Sequence, residues 1–188
     1  MGIVIAVATY NRVVVKSDGF IEDNNHNCYE DYEKMHLLNE QCMIGTLGSK
    51  ELCEKLINEY KNLALSQNID LTSLPPTTVV YDLCELLKAM NEDNDDMSIF
   101  VTGKEKDNIV LFGFTSYDNY EIFNFSPDDE KSTKYIVFGS DIQKKGMEFS
   151  KFYRADVSIE TTMNNYIRYV KSIDSSVNDH IFTRKINR

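Results

Sequence analysis

Basic residues are scarce in this chain: 20 Lys and Arg stand against 30 Asp and Glu, giving a formal charge of −10. That balance opposes attraction to phosphate backbones or anionic lipid, so neither nucleic acid nor a membrane is expected as a partner. Long apolar runs are missing too. No stretch approaches the roughly 18 residues needed to span a bilayer. The amino end lacks the basic flank and small-residue cleavage site of a secretion signal, so the expected location is the cytoplasm. The four cysteines, at 28, 42, 53 and 84, form no CxxC pair. Cys53 and Cys84 fall on apolar faces of expected helices, which predicts reduced core thiols rather than a disulfide framework. Repeats, low-complexity tracts and linkers are also absent. With 188 residues and 42% apolar content, the chain is expected to form one domain over 1–188.

What is present is a succession of hairpins and paired helices. Gly2 to Ala8 reads as a strand, Tyr10-Asn11-Arg12 as a turn, and Val13 to Asp18 as the returning strand. The segment from His26 to Tyr32 is polar and reads as irregular. Lys34 to Leu38 and Gln41 to Thr46 predict two more strands about an Asn39-Glu40 turn. Ser49 is placed to cap a helix with apolar positions at 52, 53, 56, 57, 60, 63 and 64, running to about Gln67. Pro75-Pro76 suits the first turn of a second helix, whose buried stripe is Val79, Val80, Leu83, Leu86, Leu87 and Met90. The acidic run Glu92 to Asp96 ends it.

Strands are then expected over Met97–Thr102, Ile109–Thr115, Tyr120–Phe125 and Tyr135–Phe138. A helix starting at Gly139-Ser140-Asp141 is expected to reach Phe152, and Ser158 to cap another with Ile159, Met163, Tyr166, Ile167 and Val170 on one side. His180 to Ile186 closes the chain as a strand. Periodicity alone defines an α+β class with helices in pairs on sheets.

Metal chemistry is not expected. His26 and Cys28 offer at most two ligands where a zinc site needs about four, and Asp93 to Asp96 lack the glycine and distal glutamate of a calcium loop. Phe112, Phe114, Tyr120, Phe123 and Phe125 alternate as strand residues do, which predicts core packing rather than a ligand stack.

Ser17-Asp18, Lys34, Gly45-Thr46-Leu47-Gly48 and Phe138-Gly139-Ser140 follow one another at telling intervals: Asp18 lies 16 residues after Gly2, and Lys34 lies 32 after it. In these markers and spacings the chain resembles the Ntn hydrolases of the proteasome β-subunit and heat-shock-locus peptidase type. The resemblance covers Gly2 to about Ile186 and implies a four-layer α-β-β-α sandwich without a cofactor.

In such enzymes a hydroxyl nucleophile at a chain terminus uses its own α-amine as base, and a nearby cation lowers the hydroxyl's proton affinity. The resemblance assigns that cation to Lys34, its carboxylate partner to Asp18, and the groups orienting the amine to Ser140 and Asp174. The turn aiming backbone N–H groups at a developing oxyanion falls at Gly48 or Ser49. Bland readings stand beside these: Asp18 as a turn residue, Lys34 as an edge charge, Ser140 as a helix cap and Asp174 as a helix terminus.

Three departures bear on activity. The position matching the family's Thr is Gly2, which has no atom to attack with, and Met1 precedes it. The family's distal serine corresponds to Val177, and its following glycine pair to Asn178-Asp179. The resemblance therefore implies a subunit that acts by assembly or binding without threonine-peptidase activity. The expected partners are further copies, closing into a ring, with an unfoldase or other subunit as a further possibility. The alternatives are an active Ntn amidohydrolase or peptidase and a ligand-binding module reusing the cleft.

Overall fold

The computed structural model describes residues 2–90, 95–139, 148–154 and 156–188. The opening hairpin is β1 (Ile3–Thr9) and β2 (Arg12–Asp18), followed by β3 (Ile21–Glu22), β4 (Cys28–Tyr29), β5 (Met35–Asn39) and β6 (Cys42–Leu47). Helices α1 (Lys50–Ser66) and α2 (Pro76–Met90) come next. Then follow β7 (Ser98–Glu105), β8 (Asn108–Thr115), β9 (Phe123–Asn124) and β10 (Thr133–Gly139). Residues 148–152 are helical and are called α3 here; α4 (Ile159–Ile173) and β11 (Ile181–Asn187) complete the chain.

The strands pair antiparallel into a sheet of order β10-β1-β2-β11, a sheet of order β5-β6-β7-β8-β9, and the small β3-β4 ribbon. Strand alternation divides the apolar residues among three layers of packing. Val4, Ala6 and Ala8 of β1 meet Met43, Phe100 and Leu111 between the two large sheets. Ile3, Ile5 and Val7, on the other face of β1, pack under Phe149, Met163, Tyr166 and Ile167. Cys42, Ile44, Ile99 and Val101 lie under Leu56, Val80 and Leu83 of α1 and α2. Both faces of β1 are thus covered, which explains its unbroken apolar run. The order of layers is α1/α2, the five-stranded sheet, the four-stranded sheet, α3/α4.

Several sequence expectations need adjustment. The irregular segment from 26 to 32 contains β4, which pairs with β3 through Ile21–Tyr29 and Glu22–Cys28. This ribbon is organised by Asp23, whose carboxylate accepts the Asn25 and Asn27 N–H groups and the Asn27 side-chain amide at 2.8–2.9 Å. The expected strand Tyr120–Phe125 shrinks to Phe123–Asn124, because Ser116–Asp118 wind into a 3-10 turn and Asn119 and Tyr120 take positive φ. Phe114 is buried, but Phe123 is 38% exposed. Cys42, Cys53 and Cys84 are buried free thiols and Cys28 is exposed. The starts of the helices expected at Ser140 and the acidic run at 92–94 lie outside the described residues.

Candidate functional site

The start of β1 runs directly into a buried ion pair. Asp18 ends β2 beside it, and Lys34, just ahead of β5, reaches across from the five-stranded sheet. The Lys34 Nζ lies 2.8 Å from Asp18 Oδ1 and donates to the Asp18 carbonyl at 2.9 Å, with side-chain exposures of 1% and 0%. Asp18 Oδ1 also accepts the Ile3 N–H at 2.8 Å, while Oδ2 accepts the N–H groups of Phe20 at 3.2 Å and Asn178 at 3.1 Å. The carboxylate is therefore fully occupied, as a buried charge must be. Burial pushes the Lys34 ammonium below the usual lysine range, against the pull of Asp18.

Gly2 sits against this pair. Its N–H donates to the Ser176 carbonyl at 3.1 Å, and its φ is +41°, in the left-handed region that disfavours a side chain. A Cβ added there would stand 2.5 Å from both Asp18 Oδ1 and Lys34 Nζ and 2.7 Å from Lys34 Cε. The sequence suggests a vacant position at Gly2; in the folded chain the ends of the Asp18 and Lys34 side chains fill it and would have to move to admit a side chain.

Asp174 is the C-cap of α4, and its Oδ1 accepts the Ser176 N–H at 2.9 Å and the Ser176 hydroxyl at 2.6 Å. It thereby shapes the turn whose carbonyl holds Gly2. Ser140 lies outside the described residues. Ser49 caps α1, its hydroxyl accepting the Leu52 N–H at 3.3 Å. Gly48 and Ser49 line an open cleft of about 520 Å³ together with Glu22, Asp23, Asn24, His26 and Asp95. The structure thus joins Gly2, Asp18, Lys34 and the Asp174 turn, and sets Gly48 and Ser49 on a separate polar cleft.

Two contributors carry weak sequence signals. Ser176 offers a backbone carbonyl, and only the Asp-x-Ser spacing from Asp174 hints at a side-chain-capped turn. Asn178 replaces an expected glycine and ties three segments. Besides its bond to Asp18, its Oδ1 accepts the Gly19 N–H at 2.9 Å and its Nδ2 donates to the Glu30 carbonyl at 2.8 Å. Val177, the match to the family's distal serine, is buried among apolar residues under α4.

Two residues along from Lys34 a further polar group is half-buried. His36 Nε2 lies 3.4 Å from Thr46 Oγ1, and Thr46 also bonds the buried Cys53 thiol. Burial, aided by the Lys61 charge, lowers His36 to about 4, and burial raises the Cys53 thiol to about 12. A neutral imidazole in the fold against an ordinary one unfolded means that the unfolded chain binds more protons. His36 should therefore contribute stability that is full above about pH 6.5 and lost as pH falls toward 4, by about 3 kcal/mol. Urea titrations at pH 7 and pH 4.5 should show a smaller drop for His36→Gln than for the parent.

Among the described residues no helix is long and apolar enough to cross a membrane, and no group of three or more His, Cys, Asp or Glu is placed to hold a metal ion. The layering defines a proteasome-like Ntn-hydrolase sandwich. Two solved structures share it. Eukaryotic HslV from Trypanosoma brucei is 14% identical, with 99% of each chain covered and a TM-score of 0.72. Anbu, an ancestral beta-subunit from Yersinia bercovieri, is 12% identical, with 97% of this chain and 80% of that chain covered and a TM-score of 0.77. No protein-family model and no curated protein matches the sequence.

Proposed function

We propose that this chain is a proteasome-like subunit, one domain over 1–188, that keeps the frame of an Ntn hydrolase without its nucleophile and acts by assembly or binding. The observation that carries this reading is the crowding at Gly2, where any Cβ would meet the Asp18 carboxylate and the Lys34 ammonium at 2.5 Å. A hydroxyl or thiol nucleophile needs both a side chain and room for it.

In this reading Asp18, Lys34, Ser140 and Asp174 are the inherited framework, and Gly48 and Ser49 the inherited oxyanion turn. The ion pair pins the start of β1, since Asp18 binds the Ile3 N–H and Lys34 together. Assembly is supported by the fold shared with Anbu, which is described as a beta-subunit. A second reading, a binding module, is favoured by the open cleft over Gly48 and Ser49.

The discriminating assay uses unfolded casein and a panel of fluorogenic peptides. No turnover above buffer is expected, and Lys34→Ala should leave that baseline unchanged. Turnover abolished by Lys34→Ala would overturn the proposal.

A further inference from the structure

β11 is an edge of the four-stranded sheet, and its register on β2 sets Thr183 opposite Lys16, Lys185 opposite Val14 and Asn187 opposite Arg12. Alternation along a strand and direct opposition across a ladder both keep side chains on one face. Arg12, Lys16, Thr183 and Lys185 therefore lie on the side where Val14 packs beneath α4. Among the described residues the carboxylate that reaches these cations is Glu160, in the first turn of α4. It stands 2.8 Å from Lys185 Nζ and 3.8 Å from Arg12. Asp156, just ahead of α4, forms no ion pair with any of the three among the described residues.

Lys16 is the anomaly in this group. It is only 5% exposed, and its Nζ donates to the Thr183 hydroxyl at 2.8 Å. No other acceptor meets it among the described residues, so two N–H groups of a buried ammonium have no partner. Burial lowers the Lys16 ammonium below the usual lysine range, with Glu160 pulling the other way and Lys185 adding to the fall. A buried charge ordinarily has a counter-charge in contact. Here the one carboxylate within reach is already held by Lys185 and Arg12. Three positive charges against one negative leave an excess of two, on a chain whose formal charge is −10.

We infer that this strip binds a small dianionic phosphate group, free or as a monoester, with Lys16 at its floor and the partly exposed Arg12 and Lys185 at its mouth. Two negative charges balance the excess of two. The Arg12 guanidinium offers parallel N–H donors to neighbouring phosphate oxygens, and the two lysines add point charges. The Thr183 hydroxyl accepts from Lys16 and is exposed, so its own proton is free to donate outward. The net charge of the chain selects size: a long polyanion meets the repulsion of the whole surface, whereas one phosphate group is governed by the cations in contact with it.

Amide NMR titrations with inorganic phosphate and with phenyl phosphate, each against sodium chloride at equal ionic strength, test this. The Lys16 and Thr183 signals should move saturably with phosphate and not with chloride. Saturation by both probes supports a site open to a monoester, and saturation by inorganic phosphate alone supports a site for the free ion. Arg12→Gln and Lys185→Gln should each raise the Kd at least tenfold, and Lys16→Met should abolish saturation. Lys55→Gln, an exposed change on α1, should leave the Kd within twofold of the parent. Both mouth residues are partly exposed, so their variants decide the matter even if Lys16→Met fails to fold. A response that does not saturate, that chloride reproduces, or that Arg12→Gln and Lys185→Gln leave unchanged would overturn the inference and reduce Lys16 to a brace for β11.

Discussion

Replacing Asp18 by alanine should lower the unfolding free energy by about 3–5 kcal/mol, the usual cost of removing one member of a buried ion pair. The carboxylate accepts Lys34 and three backbone N–H groups, from Ile3, Phe20 and Asn178. Its loss strands a buried ammonium and leaves those donors without a partner in a place water does not reach. For a chain of this length that corresponds to a fall in Tm of roughly 6–20 °C. The double variant Asp18→Asn/Lys34→Met should recover more than half of the loss, because removing both charges together strands neither a buried ammonium nor a buried carboxylate. Urea unfolding of Asp18→Asn, Lys34→Met and the double variant measures the coupling. Additive losses would mean that the two side chains do not act as a pair.

The second large effect concerns Gly2. Gly2→Thr should destabilise the protein by at least about 2 kcal/mol, from the cost of a side chain at positive φ together with displacement of the Lys34 ammonium. Gly2→Ala should cost a similar amount, since the crowding begins at Cβ. Neither variant should cleave peptides, even when a processing site exposes the Thr amine. The contrast between steric and chemical accounts is sharp: a framework merely waiting for a hydroxyl would accept Thr without loss of Tm and gain hydrolysis. Thermal melts and peptide assays on the same preparations separate the two.

The crowding at Gly2 and the carbonyl that holds it depend on three-dimensional detail that sequence does not carry. The hairpin's strand lengths return Asp18 beside the start of β1, whereas the expectation that Lys34 joins it rests on the family resemblance; the two residues do meet. The buried stripes of α1 and α2 were legible from their period, but β1 is apolar on both faces from Ile3 to Ala8, so its division between two packing layers is set by the fold. The direction taken by the Lys34 side chain is not encoded in any interval, and it is this direction that fills the space beside Gly2. Ser176 contributes through its carbonyl, a group every residue owns. Asn178 looks like a departure from glycine and turns out to brace Gly19, Glu30 and Asp18 at once. The β3-β4 ribbon escaped detection because two-residue strands have no period, and its geometry comes from the hydrogen bonds that Asp23 makes.

The central claim is that the beginning of β1 offers no reactive atom beside the Asp18–Lys34 pair. Intact-mass spectrometry after prolonged incubation with a peptide epoxyketone, which captures a terminal hydroxyl and its amine together, tests it most directly. The account predicts an unchanged mass for the native protein. A stoichiometric adduct that disappears in Lys34→Ala would contradict it.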